Sequence, residues 1–433
     1  MTASFYIAFL FCLLGPLIIA KTFGLSKVVP LVFIQIGLGA TIKYSGLFDW
    51  LNGKGIDVLH GPLKTSLEGL GWLGVSLFVA FSGHCSTLPS RNEGGRYRFA
   101  YVSVIAFCVT SSMGSYLGLK ILQLNPSYIG QVSSPILFSI SIGICLSVTA
   151  LPVLISILDE SSLIRHRIGQ LAVRCAMLDE LWLWMALSII LSYVGATTSW
   201  AVVARMLAFA IYCVVLLAVV APLLRRYHQN KTVPYGGPVL AITVVLLSAS
   251  LTDMLGLHGI LGAFLGGMIL PQAVLKECES TFRPAVTYLL LPIYFFSSGT
   301  RLDLPGGDGM FWLLVFVLTF STIFVKGGVV MLVGRLTGLR WKESIQLGVL
   351  LQCKGLVELI VIGILLDVGI IGVTTYSALA LMALFSTALT LPLFRLLTWV
   401  FEKSHSSDLA TYTVNHEPLY AVSEQGVERS KND

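Results

Sequence analysis

Two adjacent carboxylates, Asp179 and Glu180, lie in the middle of the apolar run AVRCAMLDELWLWMALSIILSYV, residues 172–194. Neighbouring helix positions are about 100° apart, so the two groups are close, and in a low dielectric they cannot both ionise cheaply. We expect the pair to titrate as a unit and to exchange protons. A structural ion pair, with one acid satisfied by Arg174 or Lys354, is the alternative.

The composition explains the setting of these carboxylates. Hydrophobic residues make up 56% of the 433 residues and charged residues only 12%, which is too little charge for the surface of a soluble protein. Apolar runs of about 18–28 residues, long enough to cross a bilayer, recur along the chain. Thirteen such runs predict an all-α polytopic membrane protein: 4–21, 28–46, 67–88, 98–121, 131–158, 167–195, 199–223, 238–253, 257–273, 284–301, 309–336, 341–368 and 373–401.

The charges of the connecting segments predict an orientation in the lipid bilayer. The connections after odd-numbered runs carry fifteen Lys and Arg residues, against five after even-numbered runs. This bias predicts an N-terminus outside and a C-terminus in the cytoplasm, and we expect a bacterial inner (plasma) membrane. The same loops account for the net charge of +6, so we predict no nucleic-acid partner.

The residues suited to catalysis or to tight metal binding are scattered. The eight cysteines form no CxxC pair, and no spacing of the seven histidines resembles a nucleophile with its base. We therefore predict a protein that is not an enzyme, without cofactor or resident metal.

Two of the predicted spans are interrupted near their middle. The fifth run contains Ser147, Thr149 and Pro152, and the twelfth contains Gln352 and Lys354 followed by glycine. Proline at that depth frees backbone carbonyls, which is tolerated where they are buried or line a cavity. Paired interrupted helices in the two halves of a transporter point to an ion site between them. Kinked helices without a role in transport are the alternative.

The sequence around these breaks resembles the monovalent cation:proton antiporter-2 family, which includes Kef-type bacterial and CHX-type plant transporters. The resemblance covers most of residues 25 to 400 and is carried by four segments: SVTALPVLISILDESSLI with GQLAVRCAMLDELWLW, LTDMLGLHGILGAFLGGMILP, LLLPIYFFSSGTRLDL, and GRLTGLRWKESIQLGVLLQCKGLVELIVIGILLDVGII. It implies an inverted-repeat sodium/proton antiporter fold with two crossed discontinuous helices, a dimerisation domain and a mobile core.

The resemblance also implies a domain organisation. Residues 1–401 form the transmembrane antiporter domain, with core helices in 67–195 and 284–401 and scaffold helices in 1–66 and 199–273. We expect a homodimer. The polar segment 402–433 is expected to be a disordered cytoplasmic tail.

The implied function is exchange of Na⁺ or K⁺ for protons by alternating access. Asp179 falls where the family has Asp or Asn, and Glu180 on a nearly invariant Asp. Thr149 matches the hydroxyl residue of the first break, and Lys354 the basic residue of the second. We expect the acids to bind the cation when ionised, with hydroxyl and carbonyl oxygens completing the shell, and Lys354 to pair with Asp179 when the cation is absent. Candidates of second rank are Ser147, Pro152, Gln352, Asp253, Glu358 and Arg174.

Departures from the family pattern leave two other functions open. Glutamate replaces aspartate at position 180, and the third run reads SGHCS at 82–86 where relatives carry an acid. These changes are compatible with a non-transporting sensor or receptor on an antiporter scaffold. The bulky Trp182 and Trp184 leave open a same-fold transporter of an organic solute or natural product.

Overall fold

The computed structural model describes residues 2–22, 31–46, 61–85, 98–132, 134–161, 163–164, 166–194, 199–230, 236–305 and 307–414. Within these ranges the chain is helical, with one isolated β-bridge between Ile129 and Ile371. The helices are α1 (Thr2–Thr22), α2 (Leu31–Ser45), α3 (Gly61–Cys85), α4 (Arg98–Leu124), α5 (Pro135–Ser147), α6 (Leu151–Glu160), α7 (Arg167–Val194), α8 (Ser199–Val215), α9 (Ala221–Asn230), α10 (Gly236–Met254), α11 (Gly259–Ile269), α12 (Gln272–Ala285), α13 (Leu291–Thr300), α14 (Gly309–Phe320), α15 (Gly327–Leu336), α16 (Trp341–Leu351), α17 (Leu356–Asp367) and α18 (Val373–Val414). Single π-helical turns join α8 to α9, α12 to α13 and α14 to α15.

Each of the thirteen predicted apolar runs contains a helix or an interrupted helix pair. Among the described residues, eight helices are long and apolar enough to cross a membrane, or nine if α16 and α17, bent by 45° at their break, form one span. The apolar part of α1, together with α2 and α11, is shorter. The count of thirteen spans is therefore not confirmed, although the positions of the runs agree with the helices.

Helix packing divides the described chain into two groups. In the first, which we call the scaffold group, α2 packs on α1 and α13, and α3 packs on α10, α11, α12 and α13. In the second, the crossing group, α4 packs on α5, α7 and α15, and α18 packs on α14, α16 and α17. A buried apolar cluster continues from one group into the other.

The two packing groups differ in two places from the expected division into core and scaffold helices, and that division stays a prediction. Helix α3 and the segment 286–300, both predicted as core, pack mainly within the scaffold group. The physical reason is the small residues at their contacts: Gly74 of α3 lies against Leu290, and Gly267 of α11 lies against the backbone of Ala80 in α3. Side chains larger than hydrogen would separate these helices.

Both predicted interruptions are present, and their breaks lie against each other. Helix α5 ends at Ser147 and α6 begins at Leu151, with Val148 in an extended conformation between them. Helix α16 ends at Leu351 and α17 begins at Leu356. The Ala150 N–H donates to the Cys353 carbonyl across the two breaks, at 3.1 Å.

Pro152 lies in the first turn of α6, where a helix needs no backbone N–H, so it starts this half-helix rather than kinking a continuous one. The break itself covers residues 148–150.

Helix α18 continues to Val414, past residue 402 where the sequence predicts a disordered tail. Residues 402–414 are thus helical, as the continuation of the helix formed by the apolar run 373–401. Residues 415–433 lie outside the described part of the chain.

The close contact between α4 and α5 predicts a stability difference between two glycines. A Cβ on Gly143 would overlap the Ser111 carbonyl and the Ser115 hydroxyl, whereas a Cβ on Gly328 of α15 has open space. We expect Gly143→Ala to lower the free energy of unfolding by about 1–3 kcal/mol. Gly328→Ala should leave it unchanged or raise it by up to about 1 kcal/mol. Thermal unfolding of both variants in detergent checks this, and equal effects would contradict the packing.

Candidate functional site

Asp179 is the centre of a buried polar cluster beside the crossed breaks. Only 2% of its surface is exposed. Its Oδ1 accepts a hydrogen bond from the Ser103 hydroxyl of α4 at 2.7 Å, and its Oδ2 lies 2.8 Å from the Thr149 hydroxyl. Thr149 lies in the first break, as predicted, and its hydroxyl is also 2.6 Å from the Leu351 carbonyl at the end of α16. Carboxylate, hydroxyl and carbonyl oxygens therefore converge at one point.

Lys326 is the cation that faces Asp179. Its Nζ lies 3.2 Å from Asp179 Oδ2 and also donates to the Thr149 hydroxyl. Lys326 ends the π-helical turn Ser321–Lys326 that interrupts the α14–α15 span. Such turns frequently occur at functional sites. Both side chains of the ion pair are almost fully buried, at 1% and 3% exposure.

The predicted partner of Asp179 is therefore wrong. Lys354 donates instead to the carbonyls of Cys145 and Val148, the latter at 2.9 Å, and lies 3.1 Å from Glu358 Oε2 one turn along. The reason is local: the α16–α17 break directs Lys354 at the C-terminal end of α5, where carbonyls have no helical partner. A cation is favourable at that end of a helix dipole.

Glu180 faces a different helix end from its neighbour. Its Oε1 accepts from the Leu151 backbone N–H at 3.1 Å, the first N–H of α6. An N-terminal helix end favours a negative charge, so Glu180 satisfies the start of α6 while Asp179 faces Thr149 and Lys326. The two adjacent acids thus have different partners.

Helix α4 supports Asp179 through a regular register with α7. The Cys175 thiol lies 3.6 Å from the Phe99 carbonyl, and one turn further along both helices Ser103 donates to Asp179. Sequence reasoning missed Ser103 and Lys326 as parts of the site. Serine is common in membrane helices and carries no signal of its own. Lys326 did carry one, since a lysine in an apolar run is costly.

The candidates of second rank are distributed as follows. Ser147 is buried but donates to the Ile144 carbonyl of its own helix at 2.9 Å. Asp253 is exposed at the end of α10. The Arg174 guanidinium lies over the Phe99 ring, 6.0 Å from its centroid, and does not pair with the acids.

Gln352 and Glu358 are both buried at the second break. The Gln352 amide has no hydrogen-bond partner among the described residues. Glu358 faces Lys354 as a contact ion pair, and neither of its oxygens accepts a well-aligned hydrogen bond from the described residues. The altered third-run residues 83–86 have side chains outside the described part of the chain.

Comparison with known proteins places this chain, with its crossed breaks and buried acids, in a family. The family model described as "Sodium/hydrogen exchanger, transmembrane" matches residues 6–399. The chain belongs to this family. It is an integral membrane protein, and the match confirms the family resemblance seen in the sequence.

Three proteins of similar sequence are named cation/proton antiporters. The chain is 35% identical over 270 residues to K(+)/H(+) antiporter 1 of Saccharomyces cerevisiae, covering 60% of this chain and 31% of that protein. It is 32% identical over 359 residues to Cation/H(+) antiporter 17 of Arabidopsis thaliana, covering 78% and 42%. Na(+)/H(+) antiporter NhaS4 of Synechocystis is 30% identical over 59% of this chain and 64% of its own length. The chain thus spans less than two thirds of the length of each of these relatives.

A solved structure confirms the fold. The sodium proton antiporter MjNhaP1 from Methanocaldococcus jannaschii, determined at pH 8, matches with a TM-score of 0.59 over 90% of this chain and 95% of its own. Sequence identity is 15%, so the match concerns the fold alone. The predicted all-α antiporter fold is therefore correct.

The buried ion pair predicts a coupling energy between Asp179 and Lys326. Removing one partner leaves an uncompensated buried charge, whereas removing both does not. We expect Asp179→Asn and Lys326→Met each to lower thermal stability, and the double variant to lose less than their sum by about 1–3 kcal/mol. The exposed pair Arg167–Glu343, at 3.7 Å, is the control and should couple by less than about 1 kcal/mol. Additive losses at Asp179 and Lys326 would contradict the pairing.

Proposed function

We propose that the chain exchanges a monovalent cation, Na⁺ or K⁺, for protons, with Asp179 and Thr149 in the cation shell and Glu180 beside it. The observation that carries this proposal is the position of Lys326. Its ammonium group is a monovalent cation and lies on the same Asp179 and Thr149 oxygens that a metal ion would use. The site is therefore suited to one positive charge at a time.

Competition between Lys326 and the transported ion supplies the coupling. A cation that enters the Asp179 shell must displace the ammonium group or follow the loss of its proton. Where Lys326 loses its proton, cation binding is accompanied by proton release, and protonation of Lys326 by cation release. Antiport requires that the cation and the proton bind alternately. In this proposal the residues of the crossing group are sufficient for that alternation.

The charge balance of the crossing supports binding of one charge. Three acids, Asp179, Glu180 and Glu358, and two bases, Lys326 and Lys354, are buried there. If all are ionised, one negative charge is left over. Because isolated charge is expensive in a low dielectric, either one monovalent cation or a proton stabilises the cluster.

Alternating access is the mode of transport that we propose. The Asp179 carboxylate is almost fully buried in the conformation described here, so some movement must expose it. The division into scaffold and crossing groups provides two bodies whose relative movement would do so. In this proposal the crossing group, with both breaks and all five charges, moves against the scaffold group.

An organic solute is less well supported than a metal cation. The groups around Asp179 are hydroxyl, carbonyl and ammonium, a set that suits a small cation. Trp184, which left this alternative open, is buried and packs on Phe264 of α11 with ring centroids 6.2 Å apart. It fills the boundary between the two groups rather than the ion site.

The remaining features of the assembly are also proposals. The bias of basic residues supports an outside N-terminus and a cytoplasmic C-terminus. A homodimer rests on family analogy. The relatives include yeast and plant proteins, so the bacterial inner membrane stays a prediction.

Exchange in proteoliposomes tests the function. With a pH gradient imposed, we expect addition of Na⁺ or K⁺ to dissipate it, because either ion fits an oxygen shell of one negative charge. Asp179→Asn and Glu180→Gln should each lower the rate at least about tenfold, a loss of roughly 1.4 kcal/mol or more. Glu279→Gln, which changes a partly exposed acid of α12 away from the crossing, is the control.

Two outcomes would reject the proposal. Exchange that survives Glu180→Gln would remove Glu180 from the site. A pH gradient that responds to no monovalent cation would favour the sensor or receptor alternative.

Ser103 provides a finer test of the shell. Its hydroxyl fixes the Asp179 carboxylate, so Ser103→Ala should raise the cation KM about tenfold with little change in kcat, since a hydrogen bond to a charged group contributes about 1.5–3 kcal/mol. Ser188→Ala is the control, because among the described residues that buried hydroxyl donates to the Trp184 carbonyl of its own helix, at 2.6 Å, and not to the site. Ser103→Thr should retain most of the affinity. Equal KM values for Ser103→Ala and the wild type would remove Ser103 from the site.

A further inference from the structure

The segment between α13 and α14 connects the scaffold group to the crossing group. We call residues 301–304 the strap. It begins at Arg301, the residue that follows α13, and leads toward Asp308, which caps α14. Any relative movement of the two groups must be accommodated by this connection or by its contacts.

Side chains of the scaffold group hold the strap on one side. Lys43 at the end of α2 donates to the Leu302 carbonyl at 2.6 Å, and the neighbouring Tyr44 hydroxyl accepts from the Leu304 N–H. Glu68 of α3 lies 3.3 Å from the Arg301 guanidinium. The strap is thus anchored to α2 and α3 as well as to α13.

Side chains of the crossing group hold the strap on the other side. Arg301 Nη1 lies 2.6 Å from Asp367 Oδ1 at the end of α17. The Asp303 N–H donates to the Ser377 hydroxyl of α18 at 2.7 Å. Nearby, the Tyr376 hydroxyl donates to the Ser298 carbonyl at 3.0 Å. The same few residues therefore bind both groups.

These contacts are of a kind that can be exchanged with water. The side chains of Arg301 and Asp367 are 27% and 42% exposed, so solvent can replace each partner when the pair separates. Exposed ion pairs stabilise a conformation only modestly, unlike the apolar contacts of the core. Arg301 also keeps Glu68 as a partner when the Asp367 pair separates, so release of the strap leaves its charge paired.

We propose that the strap is a releasable latch, in which the Arg301–Asp367 pair holds the conformation with a buried Asp179 site and separates when that site becomes accessible. Asp367 closes α17, the half-helix that begins at the second break, so release at the latch frees the end of an element that reaches the crossing. This inference rests on the proposed alternating exposure of the site.

Labelling of Cys353 measures the latch independently of transport. Cys353 lies in the second break and has no exposed surface, so a water-soluble maleimide reaches it only when the crossing opens. The purified full chain in lipid nanodiscs is labelled, and the peptide that contains Cys353 is quantified by mass spectrometry. We expect Arg301→Gln and Asp367→Asn each to increase the labelling rate about threefold to fivefold, the population shift that corresponds to an exposed ion pair.

Two variants distinguish the latch from general loosening. Arg301→Lys keeps the charge and should label close to the wild-type rate. Arg283→Gln breaks an exposed pair of similar chemistry, Arg283 with Glu279, that lies within the single helix α12, and should also label at the wild-type rate. If Cys353 in Arg301→Gln were labelled at the wild-type rate, the proposal would be overturned. The same would follow if Arg283→Gln increased the labelling rate as much as Arg301→Gln does.

The assay also separates this inference from the proposed function. If wild-type proteoliposomes exchange no cation but Arg301→Gln still labels faster, the transport proposal fails and the latch stands. If exchange is present and labelling is insensitive to Arg301 and Asp367, the latch alone fails.

Discussion

The arrangement depends on four helix ends that meet inside the apolar part of the protein. Each leaves backbone groups without helical partners, and a bilayer supplies no water to satisfy them. Lys354 satisfies the carbonyls at the end of α5, Glu180 the first N–H of α6, and Thr149 the last carbonyl of α16. Glu358 brings a negative charge to the first turn of α17. The polar residues of the crossing are therefore needed for the fold as well as for the proposed transport.

This constraint explains why adjacent acids have different roles. Glu180 is committed to a backbone N–H, and its extra methylene relative to aspartate provides the reach to the start of α6 from its position on α7. Asp179 is left with oxygens that face hydroxyl groups and the ammonium group of Lys326. Glu180 thus stabilises the start of α6 in addition to its proposed place beside the cation, while Asp179 provides oxygens of the proposed cation shell.

The helices and both breaks could be predicted because they depend on local properties. Apolar runs of spanning length predict helices; Pro152 lies just after the first observed break, and the glycine after Lys354 lies in the second. The partner of Lys354 could not be predicted in this way. Its direction is set by a non-helical turn and by the end of α5, which is remote in sequence. Lys326 was visible as an expensive residue, but only the packing of α14–α15 on the first break shows what it contacts.

Lys354 and Glu358 are one turn apart on the same segment, at the start of α17. Any displacement of that segment along the membrane normal carries a positive and a negative charge together. Work against the transmembrane potential depends on the net charge displaced, about 2.3 kcal/mol per elementary charge and 100 mV. This pair is therefore electrically silent during such a movement. Of the five buried charged groups of the crossing, Asp179, Glu180 and Lys326, together with the bound ion, would then contribute to the voltage dependence of the proposed cycle.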